Sequence, residues 1–249
     1  MLDTIPKRFG LLGRNINYSF SKGYFTKKFT TENLAECTYD NFDIQEITAF
    51  TEIIKNNPEL KGLNVTIPYK EVVIPFLDKL SKKAALIGAV NTIKISKKGK
   101  LKGYNTDYYG FMMSLQPLLQ AYHKKALILG TGGASKGVAF ALDELGIDYT
   151  FVSREAKANA IAYNQINASA FDDYQIIINS SPVGTSPNIE ASPLIPYDYF
   201  TEKHIAYDLI YNPEETQFLK KAKAHGAQTK NGMDMLVFQA EKAWEIWNK

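Results

Sequence analysis

Lys124-Lys125-Ala126-Leu127-Ile128-Leu129-Gly130-Thr131-Gly132-Gly133-Ala134-Ser135-Lys136-Gly137 sets a short apolar run, bounded by lysines, directly before a glycine-rich turn. Val138-Ala139-Phe140-Ala141-Leu142 follows and predicts the start of a helix. Strand, glycine turn and helix in that order build a phosphate site, because the first N–H groups of a helix have no partner within it and point outward. Gly130 permits the tight turn, and Gly132 and Gly133 let backbone approach a pyrophosphate with no side chain in the way. Ser135 stands where the usual fingerprint has Gly or Ala. On its own, then, the stretch reads either as a nucleotide loop or as a plain strand-to-helix turn.

Downstream the pattern keeps alternating. Strands are predicted at 148–152, 174–179 and 204–211, an amphipathic helix at 218–224 and a closing helix at 233–247. Apolar strands with helical intervals argue for a parallel, doubly wound sheet. Upstream, 9–13 reads as a short strand ended by glycine, followed by a helix carrying Tyr24, Phe25 and Phe29. Ser19 and Ser21 precede that helix; one of them is its N-cap, or the two hydroxyls grip a polyol or carboxylate. In Leu63-Asn64-Val65-Thr66-Ile67 the polar residues alternate with apolar ones, which puts Asn64 and Thr66 on one strand face. Pro68 stops this strand and places Lys70 just past its C-terminal end, where open α/β sheets put ligands.

Residues 84–95 pass from a small helix into another strand, Lys97 to Lys100 form a solvated hairpin turn, and Leu101 to Asn105 return as its partner. Thr106-Asp107 then opens a helix that Pro117 kinks, read as the connector between domains. Asp107 suits the helix N-terminus electrostatically.

At 249 residues the chain has room for two modest domains, and 45% hydrophobic content suits a packed, water-soluble protein. A formal net charge of +3 is too small to argue for nucleic acid. The single cysteine, Cys37, excludes an intramolecular disulfide and supplies no metal cluster. Neither a secretory signal nor a membrane span is expected, so a cytoplasmic protein is the default. None of the three histidines, His123, His204 and His225, stands at ligand spacing with Cys, Asp or Glu, and each is expected at the surface or a strand edge. Acid–base chemistry must therefore fall to another residue type.

Taken together, the motifs resemble the shikimate dehydrogenase family across nearly the whole chain. Asn64-Val65-Thr66-Ile67-Pro68-Tyr69-Lys70 carries most of the likeness. Gly88-Ala89-Val90-Asn91-Thr92, Asn105-Thr106-Asp107, the Gly130 loop, Tyr211-Asn212-Pro213 and Gly232-Met233-Asp234-Met235-Leu236-Val237-Phe238-Gln239-Ala240 follow in the family's order. The resemblance implies an N-terminal α/β substrate domain (1–105, with 233–249 returning to it) and a C-terminal Rossmann-like NADP domain (106–232). It implies reversible, NADPH-dependent reduction of 3-dehydroshikimate to shikimate by a monomer or homodimer. Lys70 and Asp107 match the family's catalytic pair, and Ser19, Ser21, Asn64, Thr66, Asn91, Tyr211 and Gln239 match its substrate contacts. Gly130, Thr131, Gly132, Gly133, Ala134, Ser153, Arg154, Asn179, Ser180 and Gly232 match the cofactor side.

Arg154 resembles the arginine that packs on adenine and pairs with the 2′-phosphate, and Ser153 is a second donor to it. Glu155 is discordant there, since an anion beside a phosphate repels it unless it points away. Tyr18, Asn15 and Lys22 depart from the family's usual histidine and prolines around Ser19 and Ser21. The same motifs also suit a quinate/shikimate dehydrogenase of broader specificity, or a homologue that binds ligand without turnover.

Overall fold

A computed structural model describes residues 6–16 and 19–249; the Tyr18 departure lies outside them. The described residues form two compact units, 6–106 with 240–249, and 107–239.

The first unit contains β1 (Lys7–Gly13), α1 (Phe20–Thr31), β2 (Cys37–Asp43), α2 (Phe50–Asn56), β3 (Leu60–Val65), α3 (Tyr69–Val72), β4 (Lys79–Leu80), α4 (Lys82–Ile87), β5 (Thr92–Ile95) and β6 (Leu101–Tyr104). Its strands form a mixed sheet in the order β2-β1-β3-β5-β6-β4. β1 is parallel to both neighbours, whereas β3, β5 and β6 run antiparallel in turn. Strand alternation sorts the two faces. Leu12, Leu63 and Val65 pack into one core with Phe50 and Ile93, while Phe9 and Leu11 enter an aromatic core on the other side. In that second core Phe25 stacks on Tyr39 at 4.7 Å and Phe9 on Trp247 at 4.8 Å. Each such contact contributes about 0.5–1.5 kcal/mol beyond area burial.

The second unit contains α5 (Asp107–Leu115), β7 (Lys125–Leu129), α6 (Gly133–Leu145), β8 (Asp148–Ser153), β9 (Ala160–Ala162), α7 (Ala168–Asp173), β10 (Ile176–Asn179), β11 (Ile205–Asp208), α8 (Gln217–Ala224) and β12 (Gln228–Lys230). Every pairing in its sheet is parallel, in the order β12-β11-β10-β7-β8-β9. Numbered within the unit, this is the Rossmann order, and the strand direction of travel reverses between β7 and β10. Ala126 to Leu129 are completely buried, as a central parallel strand covered on both faces requires. The last helix, α9 (Met233–Asn248), runs from the second unit into the first.

Several expectations need correction. β3 ends at Val65, three residues before Pro68, so Thr66 and Ile67 lie beyond the strand and Ile67 is exposed. The Asp107 helix stops at Leu115 and tightens into a 3₁₀ turn over Gln116–Leu118 that accepts Pro117 in its first turn, instead of kinking. It packs on α6 inside the second unit and is no free connector. His123 and His204 are buried, because each ring closes a turn. His123 Nδ1 accepts from the Gln120 N–H at 2.8 Å and His204 Nδ1 from the Thr201 N–H at 3.0 Å, while each Nε2 meets a backbone carbonyl.

Candidate active site

Lys70 is held by main chain on a short helix. Its neighbour Tyr69 is buried, donates to the Ile44 carbonyl at 2.7 Å and accepts from Arg14 Nε at 3.3 Å. The Lys70 carbonyl itself accepts from the Val90 N–H at 2.7 Å. A side chain with four rotatable bonds is thereby mounted on a fixed base, half-buried at the mouth of β3.

Three of the residues that match the family's substrate contacts, Ser21, Asn64 and Asn91, share one polar network. Ser21 hydrogen-bonds the Tyr39 phenol, which donates to Asn64 Oδ1 at 2.8 Å. Burial pushes the Tyr39 phenol far above its usual range, so it stays a protonated donor. Asn64 Nδ2 donates to Thr92 Oγ1 at 3.3 Å, and Thr92 Oγ1 donates to Asn91 Oδ1 at 3.2 Å. Asn91 Oδ1 also accepts the Thr106 N–H at 2.6 Å. Ser21, Asn64 and Asn91, distant in sequence, are thus linked through Tyr39 and Thr92, two residues that sequence reasoning missed. Asn91 is only 2% exposed, so it acts chiefly by fixing Thr106, the residue before Asp107. Thr66 lies half-buried against Gly13, whose missing side chain makes room for the Thr66 methyl.

Ser19 N-caps α1, accepting from the Lys22 N–H at 3.4 Å. The departure at Asn15 has a local cause. Asn15 adopts φ +57°, and its N–H donates to Asp43 Oδ1 at 2.9 Å. Proline can do neither. Lys22 lies 3.9 Å from Asp40 at an exposed site, a contact worth little.

In the second unit Asp107 opens α5 and is buried. Gly110, one turn on, lets α9 cross closely: a Cβ there would run into the Met235 carbonyl and meet Gln239 at 3.1 Å. Residues three apart share a helix face, so Gln239 lies along the Asp107 side of α5. Gly232 has a similar packing duty. A Cβ on it would strike the Leu209 carbonyl, and its N–H donates to the Ile210 carbonyl at 3.0 Å, next to half-buried Tyr211.

The glycine loop lies at the sheet's switch point. Gly130 has φ +116°, and a Cβ there would crowd Ser180 Oγ at 3.0 Å. Gly132 is the N-cap of α6 with no side-chain cap, and a Cβ on it would meet only open space. Thr131 to Gly133 are exposed, with Ala134 half-buried behind them. Ser135 is tolerated in place of Gly or Ala because its hydroxyl folds back onto the Gly132 carbonyl at 2.6 Å. Bare backbone N–H groups at the start of a thirteen-residue helix, with exposed Arg154 beyond β8, fit a phosphate-bearing dinucleotide.

Two residues assigned to the cofactor side are turned inward. Asn179 is wholly buried; it donates to Asp208 Oδ1 at 3.0 Å and to the Val183 carbonyl, and accepts from Ser181 Oγ at 2.6 Å. It shapes the loop that carries Ser180 and has no face to offer a ligand. The Ser153 hydroxyl donates to the Glu155 carbonyl, which leaves Arg154 the outward donor at that turn. Asp208 was not foreseen. Burial pushes its carboxyl up to about 6, against donors from Thr216, Ile210 and Asn179. Among the described residues no cluster of three or more His, Cys, Asp or Glu is placed to hold a metal, and no helix is long and apolar enough to cross a membrane.

Residues 11–93 match the model of the shikimate dehydrogenase substrate binding domain. The shikimate dehydrogenase (NADP(+)) of Methanosphaera stadtmanae is 38% identical, with 96% of this chain and 90% of that protein aligned. Its counterpart in Clostridium botulinum is 37% identical over 96% of this chain and 95% of its own length. Among solved structures, shikimate 5-dehydrogenase from Thermus thermophilus in complex with NADP(H) and shikimate superposes with a TM-score of 0.85. The two are 32% identical, with 97% and 93% of the respective chains covered. On identity extending over almost the full length of both partners, this chain belongs to the shikimate dehydrogenase family.

Proposed function

We propose that the chain catalyses the reversible, NADPH-dependent reduction of 3-dehydroshikimate to shikimate. The observation that carries this is full-length similarity to relatives named shikimate dehydrogenase (NADP(+)), joined to a phosphate-type glycine loop and an anchored Lys70 in this chain.

NADPH, when bound, supplies the hydride that the ketone carbon accepts. The substrate oxygen then gains negative charge, and a proton donor within hydrogen-bond reach stabilises it. Lys70 fills that role, providing both positive charge and a proton. Asp107, its counterpart in the family's catalytic pair, keeps the ammonium in position. Ser19, Ser21, Asn64, Thr66, Asn91, Tyr211 and Gln239 orient the ring hydroxyls and carboxylate, directly or, for Asn91, through Thr106. A polar site of this kind rejects analogues that leave its groups unpaired. The glycine loop, Ala134 and Ser180 receive the pyrophosphate side of the cofactor, and Arg154 receives its 2′-phosphate. A cytoplasmic location accompanies this reading.

The test is NADPH consumption by purified protein given 3-dehydroshikimate, with 3-dehydroquinate and NADH as comparison reactants. Shikimate-specific turnover with NADPH preferred is expected. Ligand-induced thermal stabilisation with no NADPH oxidation would instead mark a binding homologue.

A further inference from the structure

The lysines of the hairpin region, scattered in sequence, converge on one edge of the first unit's sheet. Register pairs Lys94 with Lys102 across β5 and β6, and Lys102 with Lys79 across β6 and β4. Residues in register project from the same face, so three ammonium-bearing side chains stand abreast over about 10 Å of sheet. They line a groove of about 500 Å³ together with Lys100, Asp78 and Tyr104.

Like charges directly opposite one another on a sheet are destabilising, and ordinary surfaces intersperse carboxylates among them. Here the groove's single carboxylate, Asp78, is already engaged by Lys100 at 2.7 Å and by the Leu101 N–H at 2.8 Å. Lys102 lies over the Tyr104 ring at 5.2 Å, a weak cation–π contact that brings no carboxylate to it. Among the described residues, Lys79, Lys94 and Lys102 form no ion pair.

The geometry points to an anion site in this groove that takes a linear oligophosphate, free or as the chain of a nucleoside triphosphate. Three long, flexible lysine side chains drawn from a row about 10 Å wide reach several phosphates of one ligand at once, whereas a single phosphate engages only part of the row. The site is built wholly from the first unit, on elements that carry none of the glycine loop.

Inorganic tripolyphosphate and inorganic phosphate are titrated into the full-length protein, with NADP⁺ saturating so that its own phosphate site is filled, and melting temperature and calorimetric binding are read. Tripolyphosphate should raise the melting temperature, more strongly than phosphate and less at high salt. Lys94→Gln/Lys102→Gln should weaken its binding by about tenfold or more while raising the melting temperature of the unliganded protein. Lys55→Gln/Lys220→Gln, which removes the same charge from exposed positions elsewhere, should leave binding unchanged. A nucleoside triphosphate that binds no tighter than tripolyphosphate shows that the phosphate chain alone is recognised; tighter binding shows that the groove also holds the nucleoside. Equal stabilisation of wild type and the groove variant, an equal loss in both double variants, or no tripolyphosphate binding at all would overturn the assignment.

Discussion

The Tyr39 hydroxyl donates to Asn64 Oδ1 across 2.8 Å, inside a core where both residues are buried. That bond fixes the orientation of the Asn64 amide, and so aims its NH2 toward Thr92. Tyr39→Phe leaves the Asn64 oxygen without this donor. Stability should fall by about 1–3 kcal/mol in denaturant unfolding. In steady-state kinetics the KM for shikimate should rise while kcat changes less, because the reacting groups are untouched. Unchanged KM and stability together would remove Tyr39 from its positioning role.

Asp208 predicts a pH dependence of stability. Its carboxyl is raised from 3.8 to about 6 in the folded protein, so the folded state binds the proton more tightly than the unfolded chain does. The resulting stabilisation is fully present below pH about 4 and is lost as pH rises through about 6, a change of about 3 kcal/mol. Asp208→Asn cannot ionise. Urea unfolding from pH 4 to 7 should show wild type losing ground steadily to the variant; two parallel profiles would contradict this.

Gly62 is required by the docking of α9. A Cβ at this position would run into the Trp247 indole, whose Nε1 donates to the Ile93 carbonyl at 3.0 Å. Gly62→Ala should cost about 1–3 kcal/mol of stability by overpacking. Thermal unfolding of the purified variant checks it, and a melting temperature equal to wild type would show that the helix end yields freely.

Arg154 is the outward cation where β8 ends, and Glu155 beside it is exposed and turned to solvent. Arg154→Ala should lower kcat/KM for NADPH by about 10–100-fold, the worth of one charge-assisted phosphate contact, and barely alter that for NADH. Equal losses with both cofactors would place the arginine elsewhere in the reaction.

The parts that sequence made legible are those written in local chemistry. Ala126 to Leu129 read as a buried strand because they are one, and Gly130 read as a turn because its φ of +116° excludes most other residues. What was hidden depends on partners distant in the chain. β2 is hard to read because Asn41 and Phe42 invert the alternation that Cys37, Thr38, Tyr39 and Asp40 begin, and only Arg8, 2.7 Å from Asp40, shows why a carboxylate belongs there. Asn179 resembled a cofactor residue until its amide was seen to be spent on Asp208, Val183 and Ser181. His123 and His204 looked peripheral since nothing in their spacing reveals the turns they close. The row of Lys79, Lys94 and Lys102 is a product of strand register, which composition does not contain.

The most direct measurement is steady-state reduction of 3-dehydroshikimate by NADPH with Lys70→Ala beside wild type. If the ammonium protonates the ketone oxygen, kcat should fall by about 10²–10⁴-fold, with KM altered far less and the melting temperature preserved. A folded Lys70→Ala protein that turns over near the wild-type rate would contradict the account.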